Sequence, residues 1–158
     1  MQVVQCRQSP PPMPEPSIEV DTRYLESLSG YNARRASLAV ISQFMTHMAV
    51  YDFRPVDFSV MSLIIHNPGI TSRQLCSSLG LLPPNLVAMI NRLEKRELLE
   101  RRPHPTDGRA TGLHPSSKGI DLMKEAEQTA ARLERDATRN LTAAELKTLH
   151  RLLKKVYQ

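Results

Sequence analysis

Aromatic residues are scarce in this chain, and tryptophan is absent. Among 158 residues there are four tyrosines and three phenylalanines, so aromatic side chains make up 4% of the sequence. Proteins that bind single-stranded nucleic acid commonly stack the bases on aromatic side chains. The scarcity of such side chains therefore argues against single-stranded nucleic acid as the partner.

Cysteine is scarce too, and long apolar runs are missing. Cys6 and Cys76 are the only cysteines, and two cannot build the disulfide framework of a small secreted domain. No apolar run approaches the roughly 20 residues that a membrane-spanning helix requires. Five prolines between residues 10 and 16 interrupt the N-terminal region, where a signal peptide would need a continuous apolar core. These absences together predict a cytoplasmic protein.

The motifs of common catalytic and metal sites are also missing. The sequence has no His-Glu-x-x-His, no Gly-x-Ser-x-Gly, no glycine-rich phosphate loop and no cysteine pair at zinc spacing. His104 and His114 have no cluster of other metal ligands around them. We therefore expect no enzymatic activity, no metal and no cofactor.

The composition that is present suits one folded domain with a polyanionic partner. Hydrophobic residues make up 41% of the chain, and 21 lysines and arginines exceed 16 acidic residues, for a net charge of +5. A basic balance favours nucleic acid only weakly. Residues 1–17 are rich in proline, which lacks an N–H and fixes φ, so they are predicted to be a disordered tail. Residues 18–158 are predicted to form a single domain.

The first half of that domain has the periodicity of two helices. Residues 21–51 are predicted to be helical with an interruption near Ser29–Gly30, and residues 55–66 form the next helix, because Pro55 suits a first helical turn. Apolar residues at three- and four-residue spacing lie on one face of a helix. Those of the first helix are Leu38, Ile41, Met45 and Met48, and those of the second are Phe58, Met61 and Ile65.

A helix-turn-helix and a hairpin are predicted next. Thr71 and Gln74 form a capping box, and Gly80 lies where a left-handed residue ends a helix. Pro83 and Pro84 begin the following helix, which runs to about residue 96 with Leu86, Ile90 and Leu93 facing inward. Residues 98–102 and 110–114 flank a tip rich in proline and glycine, which predicts a β-hairpin.

Two further helices end the chain. One begins at Ser116, and a second capping box, from Thr142 to Glu145, begins the other. Their apolar faces are predicted to be Met123, Ala126, Ala130, Leu133 and Ala137, and then Leu146, Leu149, Leu153 and Val156. The first, fifth and sixth helices have no partner within residues 55–114, so a second copy of the chain is the simplest partner. The alternative is that these three helices pack on each other in a monomer.

The order of these motifs resembles the MarR family of transcription regulators over residues 30–157. The matching segments are Asn-Pro-Gly-Ile-Thr at 67–71, Leu-Gly at 79–80, Asn-Arg-Leu-Glu-Lys at 91–95, Leu-Leu-Glu-Arg-Arg at 98–102 and Asp-Gly-Arg-Ala at 107–110. The resemblance implies a mostly α fold with a β wing: a winged helix-turn-helix at 55–114, with dimerisation helices at 21–51 and 116–157. It also implies a homodimeric, sequence-specific regulator of transcription, a repressor that binds a pseudo-palindromic operator in double-stranded DNA.

The resemblance implies a DNA interface made by the helix-turn-helix and the wing. Its residues are Ser72, Arg73, Pro84, Asn85, Val87, Ala88, Arg92, Asp107 and Arg109. Asparagine suits adenine edges, and valine and alanine suit thymine methyl groups, whereas Asp107 would brace Arg109 in the minor groove. Asn85 could instead only cap its helix, and Arg92 could pair with a carboxylate. Gly108 replaces the arginine that is usual in the family, and Arg101 and Arg102 are assigned to the DNA backbone or to internal ion pairs.

The family commonly binds small aromatic acids between the dimerisation helices and the DNA-binding unit. The resemblance thus implies a small aromatic or heteroaromatic carboxylate that releases the DNA, held by Arg35, Phe44, His47, Met48, Tyr51 and Arg54. The alternative is that these residues are ordinary core or surface positions. Two other functions stay open: a helical, dimeric protein-interaction module without DNA binding, and a redox-responsive regulator based on cysteine, although Cys76 reads more simply as a small buried side chain.

Overall fold

The computed structural model describes residues 20–103 and 111–157, and these are mostly helical. The helices are α1 (Arg23–Glu26), α2 (Ser29–Met48), α3 (Pro55–His66), α4 (Ser72–Leu79), α5 (Pro83–Lys95), α6 (Ser117–Ala137) and α7 (Ala143–Tyr157). A 3₁₀ turn, Ala49–Tyr51, follows α2, and the strands are β1 (Ile70–Thr71), β2 (Leu99–Pro103) and β3 (Thr111–Pro115). The predicted class, mostly α with a β wing, is confirmed.

Within the described residues, the chain divides into two compact units, 20–34 and 35–157. In the described part of the first unit, the Asn32 amide donates to the carbonyls of Glu26 and Leu28, at 2.6 and 2.9 Å. These bonds lie where the predicted long helix is interrupted, at residues 27–28, slightly before the expected position. The proline-rich tail predicted for residues 1–17 lies outside the described residues.

The helix-turn-helix forms where local hydrogen bonding predicts it. The backbone N–H of Gln74 donates to Thr71 Oγ1 at 3.3 Å, and the N–H of Thr71 donates to Gln74 Oε1 at 2.9 Å. Gly80 then ends α4 in the left-handed region, with φ of 62°, which glycine adopts without the steric cost of a Cβ. The predicted capping box and the predicted end of the helix are both confirmed.

The hydrophobic core is centred on α3, α4 and α5. The predicted inner face of α5, Leu86, Ile90 and Leu93, is fully buried. The predicted stripe of α3 is fully buried only at Met61, whereas Phe58 and Ile65 are half-buried and pack against the core. The fully buried positions of α3 are Val60, Met61 and Ile64, together with Asp57. The buried surface of α3 is broader than a single stripe because the helix packs on both α4 and α6.

A three-stranded antiparallel sheet of order β1-β3-β2 attaches the wing to this core. The predicted hairpin is confirmed with each strand one residue later, and Arg101 pairs with Leu113 across it. Strand β1 was not predicted because its two residues are too short for an alternating pattern. It pairs Ile70 with Leu113 and Thr71 with Gly112. The wing tip, residues 104–110, lies outside the described residues.

Helix α6 begins in close contact with the end of the helix-turn-helix. Ser116 caps it, with its Oγ accepting from the N–H of Gly119 at 3.0 Å. A Cβ built at Gly119 would lie 2.0 Å from the carbonyl oxygen of Leu98, so only glycine permits this approach. Further along, Met123, Ala126 and Leu133 are buried as predicted, whereas Ala130 is half-buried and Ala137, at the end of α6, is exposed.

Helix α7 has its predicted capping box. The N–H of Thr142 donates to Glu145 Oε2 at 2.8 Å, and this bond holds the pKa of the Glu145 carboxyl below its ordinary value. The apolar faces of α2 and α7 are largely uncovered within one chain: Leu38, Ile41, Met45, Leu149, Leu153 and Val156 are all exposed. In the part of the chain that the structure describes, no helix is both long and apolar enough to cross a membrane.

Candidate nucleic-acid interface and ligand cleft

Helix α5 presents an outer side to solvent. Its inner residues are in the core, and four residues of its first two turns, Pro84, Asn85, Val87 and Ala88, are exposed. Three- and four-residue spacing places Pro84, Val87 and Ala88 on neighbouring surface positions. These four residues are the ones predicted to meet base edges, and the fold leaves all of them accessible.

Arg92, the fifth residue predicted on α5, forms an ion pair within the chain, while 41% of its side chain remains exposed. Its guanidinium pairs with the carboxylate of Asp57, whose side chain is 3% exposed. The same carboxylate accepts the backbone N–H of Arg54 at 3.3 Å, which caps α3. Of the two roles that the sequence left open for Arg92, the structure shows the internal pair. Asp57 was not singled out from the sequence, because an acidic residue in the first turn of a helix is normally a capping residue on the surface.

The end of α5 is held by the segment that joins α2 to α3. The Arg96 guanidinium donates to the carbonyls of Tyr51 and Asp52, both at 2.7 Å. It also lies over the ring of Phe53, 5.2 Å from the ring centroid, a cation–π contact. Asp52 adopts a left-handed conformation with φ of 51°, which turns its carbonyl into reach. Arg96 thus joins α5 to the Tyr51–Phe53 segment, a link that the sequence did not indicate.

The other flank of α5 is joined to the wing. Arg101 on β2 donates from Nε to Glu94 at 3.1 Å and from Nη2 to the side-chain oxygen of Asn91 at 2.6 Å. Arg102 pairs with Glu100 of the same strand. Both arginines therefore take the internal ion pairs that were one of their two predicted roles, and β2 is tied to α5.

The remaining predicted DNA contacts lie at α4 and at the wing tip. Ser72 and Arg73 are exposed in the first turn of α4, where unpaired backbone N–H groups favour a phosphate. Asp107 and Arg109 lie outside the described residues.

A cleft of about 510 Å³ lies beside Tyr51 and the middle of α6. The Tyr51 hydroxyl is 2.9 Å from the Thr129 hydroxyl, and Arg132 Nη2 donates to the same Thr129 oxygen at 3.1 Å. Arg135 also lines the cleft, together with Glu125, Gln128 and Ala131. Two hydroxyls and two guanidinium groups can bind an anion, so the cleft is the candidate ligand site.

The other predicted ligand residues are placed differently. Met48 is fully buried in the core, and Phe44 packs edge-on against Phe58 with ring centroids 5.5 Å apart. His47 is exposed and Arg54 caps α3. Arg35 is exposed on α2. Thr129 and Arg132 were not predicted, because the polar residues of α6 read as an ordinary solvent face and only the fold brings them to Tyr51.

The cysteine and the possible metal ligands of the described residues bear on the remaining sequence predictions. Cys76 has a free, half-buried thiol on α4, whereas Cys6 lies outside the described residues. Over residues 20–103 and 111–157, histidine, cysteine and acidic residues form no group of three that could hold a metal ion.

The chain is similar to known transcription regulators in sequence. A profile of the MarR family matches residues 51–110. The transcriptional regulatory protein for the hcr operon of Thauera aromatica is 29% identical over 130 residues, which are 82% of this chain and 78% of that protein. The multiple antibiotic resistance protein MarR of Escherichia coli strain K12 is 31% identical over 111 residues, which are 70% of this chain and 77% of that protein.

It is also similar to a solved repressor in structure. The transcriptional repressor CouR, bound to a 23-mer DNA duplex, has a TM-score of 0.82 at 33% identity, over 89% of this chain and 99% of that chain. CouR bound to p-coumaroyl-CoA has a TM-score of 0.78 at 31% identity, again over 89% and 99% of the two chains.

Proposed function

The chain belongs to the MarR family of winged helix-turn-helix transcription regulators, and we propose that it is a homodimeric repressor of a pseudo-palindromic operator. Its relatives regulate transcription and are not enzymes, so a regulatory role is preferred to catalysis. The observation that carries the proposal is α5, whose inner face is fully buried while Pro84, Asn85, Val87 and Ala88 are exposed. A helix held in this way can enter the major groove of DNA.

The wing and α4 would supply contacts to the phosphates and to the minor groove of the DNA, which position the protein and do not select its base sequence. Ser72 and Arg73 lie at an exposed helix N-terminus, which suits a phosphate. For Asp107 and Arg109 the family resemblance supports insertion into the minor groove, with the carboxylate orienting the guanidinium. Such contacts determine register and salt dependence, whereas base contacts determine the sequence.

Binding to DNA from upstream of the chain's own gene tests this proposal. The full chain should shift such a duplex at low salt, and Arg73→Gln and Arg109→Gln should each weaken binding and lower the salt slope by about one. Lys124→Gln on α6 removes the same charge outside the proposed interface and should leave the slope unchanged. Indifference of the full chain to duplex DNA at low salt would contradict the proposal and favour a protein-interaction module.

The exposed apolar faces of α2 and α7 support the homodimer. Single exposed apolar residues are common on proteins, but rows of them on two helices indicate a surface that another chain covers. Leu38, Ile41 and Met45 on α2 are 41–49% exposed, and Leu149, Leu152 and Leu153 on α7 are 39–48% exposed. A two-fold dimer would also place two recognition helices against the two halves of a palindrome.

The solution mass tests the dimer. Sedimentation at micromolar concentration should give twice the mass of one chain, and Leu153→Asp should lower it toward a single chain because a charge would be buried in the interface. Val87→Asp introduces the same charge on α5 and should leave the mass unchanged. A single-chain mass for the unmodified protein would rule out the dimer.

We further propose that an aromatic carboxylate, or its coenzyme A thioester, binds the cleft beside Tyr51 and releases the DNA. The relative CouR binds p-coumaroyl-CoA, and the cleft offers the hydroxyls of Tyr51 and Thr129 beside Arg132. Tyr51 also holds α5 through its carbonyl and Arg96. A ligand that displaces the Tyr51 ring would therefore favour a different position of α5, and only such differential binding can shift the equilibrium.

A thermal-shift screen with p-coumaroyl-CoA, free p-coumarate and other aromatic acids tests the ligand class. A compound that binds the native state raises the melting temperature, and its effect should shrink in Thr129→Val and Arg132→Gln but persist in Lys124→Gln. The same compound should weaken binding to the operator. Shifts that survive both cleft variants would place the ligand elsewhere.

A further inference from the structure

The part of α5 that faces outward bears no charged side chain over its first two turns. From Pro83 to Asn91 the helix has prolines, asparagines and apolar residues, and its cations are Arg92 and Lys95, near its end. Arg92 is held by the buried Asp57 carboxylate. The usual way to recognise guanine is a bidentate arginine or lysine on its O6 and N7 atoms. The first two turns of this helix therefore lack the cationic group that reads guanine best, and Lys95 lies only at its end.

Two asparagines, Asn85 and Asn91, are exposed on this surface, and the structure shows the side-chain oxygen of one of them already engaged. Asn91 accepts a hydrogen bond from Arg101 at 2.6 Å, which engages its side-chain oxygen in holding the wing. Asn85, at the start of the helix, is exposed. An asparagine amide can bond both N6 and N7 of adenine, so the exposed amide of Asn85 matches an A·T pair.

Exposed apolar side chains surround that amide. Leu82, directly before α5, is 68% exposed, and Val87 is 49% exposed. Pro84 and Ala88 are exposed on the same part of the helix. In the major groove the one apolar group that a base presents is the C5 methyl of thymine, so these side chains have a natural partner there.

We infer that this recognition helix reads thymine methyl groups and not guanine edges. Leu82, Val87 and Ala88 contact the methyl groups of consecutive A·T pairs, and Asn85 bonds the adenine of one of them. The inference rests on the proposed function, since it names the bases that the proposed DNA interface selects. It follows from the ion pair of Arg92 with Asp57 and the hydrogen bond of Asn91 with Arg101, which leave Asn85 and apolar side chains at the start of the helix to meet the bases.

Replacement of thymine by deoxyuridine tests the inference, because it removes only the C5 methyl. The full chain first selects duplexes from a random pool, and each thymine of the selected half-site is then replaced in turn. Burial of one methyl group corresponds to a change of about fourfold in the dissociation constant. We expect about fourfold weaker binding at each of two or more positions, and recovery when 5-methylcytosine presents the methyl at a C·G pair in the same position.

Matched variants separate the side-chain contact from general damage. Val87→Ser and Leu82→Ser should reduce the ratio of the deoxyuridine to the thymine dissociation constant toward one at different single positions. Ile120→Ser replaces an apolar residue of α6 that is 48% exposed and should keep the full ratio. A variant that merely disturbs the fold weakens both duplexes equally and leaves the ratio intact.

The outcomes distinguish this inference from its premise. Equal affinity for thymine and deoxyuridine duplexes, or a ratio that Val87→Ser and Leu82→Ser both leave unchanged, would overturn methyl recognition while DNA binding stands. Selection of guanine at the contacted positions would overturn it as well. Failure to select any duplex would remove the premise itself and the inference with it.

Discussion

Helices α5 and α7 have similar sequence patterns and opposite environments. Each has leucine, isoleucine or valine at three- and four-residue spacing on one face. On α5 that face is at most 1% exposed, at Leu86, Ile90 and Leu93. On α7 the corresponding residues Leu149, Leu153 and Val156 are 39–83% exposed. The pattern thus marks which face of a helix must be covered, but not which chain covers it.

The difference follows from what each helix is attached to. Helix α5 lies between the turn after Gly80 and strand β2, and Asp57, Arg96 and Arg101 hold its C-terminal end. Its inner face is therefore held against its own chain. Helix α7 is determined locally, by the capping box of Thr142 and Glu145, and its apolar face is left for the second copy that we propose.

The largest expected effect is a loss of stability, and its dependence on protein concentration should differ between the apolar faces of α5 and α7. Leu93→Ala removes a fully buried side chain, so the free energy of unfolding should fall by about 2–5 kcal/mol at any protein concentration. Leu153→Ala should instead weaken dimerisation, so its effect on the melting temperature should depend on protein concentration. Denaturant titrations and sedimentation at several concentrations measure both. A concentration-independent loss of equal size in Leu153→Ala would show that α7 is covered within its own chain.

The second-largest expected change in stability concerns the contact of α6 with the helix-turn-helix. Gly119→Ala places a methyl group 2.0 Å from the Leu98 carbonyl oxygen. Because the backbone must move to relieve this clash, the free energy of unfolding should fall by about 1–3 kcal/mol. Gly30→Ala on α2 is the control, because a Cβ there meets no atom within 4 Å. Gly30→Ala should raise the free energy of unfolding by about 0.5–1 kcal/mol, because alanine favours a helix more than glycine does. Equal melting temperatures for the two variants would contradict the close approach.

The internal pair on α5 is expected to matter somewhat less. Asp57→Asn keeps the size of the side chain but leaves Arg92 without its anion, so the free energy of unfolding should fall by about 1–3 kcal/mol. Asp52→Asn alters an exposed carboxylate 3.6 Å from Arg96 and should cost less than about 1 kcal/mol. Urea titrations of the two variants compare them. A larger loss in Asp52→Asn would reverse the assignment of Asp57 as the principal anchor.

The smallest expected effect is a pH dependence at the start of α7. The Thr142 N–H lowers the pKa of the Glu145 carboxyl, so the capping bond stabilises the helix above the ordinary titration range of glutamate. That contribution is lost as the pH falls through the lowered pKa. A carboxyl NMR titration should give Glu145 a pKa below the ordinary value of glutamate, and Thr142→Ala, which retains the backbone N–H but lacks the hydroxyl, should reduce the shift. An ordinary pKa for Glu145 in the unmodified chain would refute the capping bond.

The features predicted correctly depend on residues close together in the chain. The capping box of Thr71 and Gln74 spans three residues, and Gly80 ends a helix through its own backbone freedom. The inner face of α5 repeats every three or four residues. Hydrogen bonds and periodicity over three or four residues depend only on neighbouring residues of the sequence. For this reason the helix-turn-helix and its outer residues could be located. Stripes that touch several partners, as on α3, were only partly correct.

What the sequence by itself determined is the succession of helices and hairpin, the exposed side of α5 and, through its motifs, the family. Only the tertiary structure decided that Arg92 turns inward to Asp57, 35 residues away, and that Arg96 holds Tyr51, 45 residues away. It also decided that Thr129 and Arg132 join Tyr51 at a cleft. The physical reason is that a charged or polar side chain reads as surface in any local pattern, and only the packing of distant elements shows which of them finds a partner and which is left for DNA or ligand.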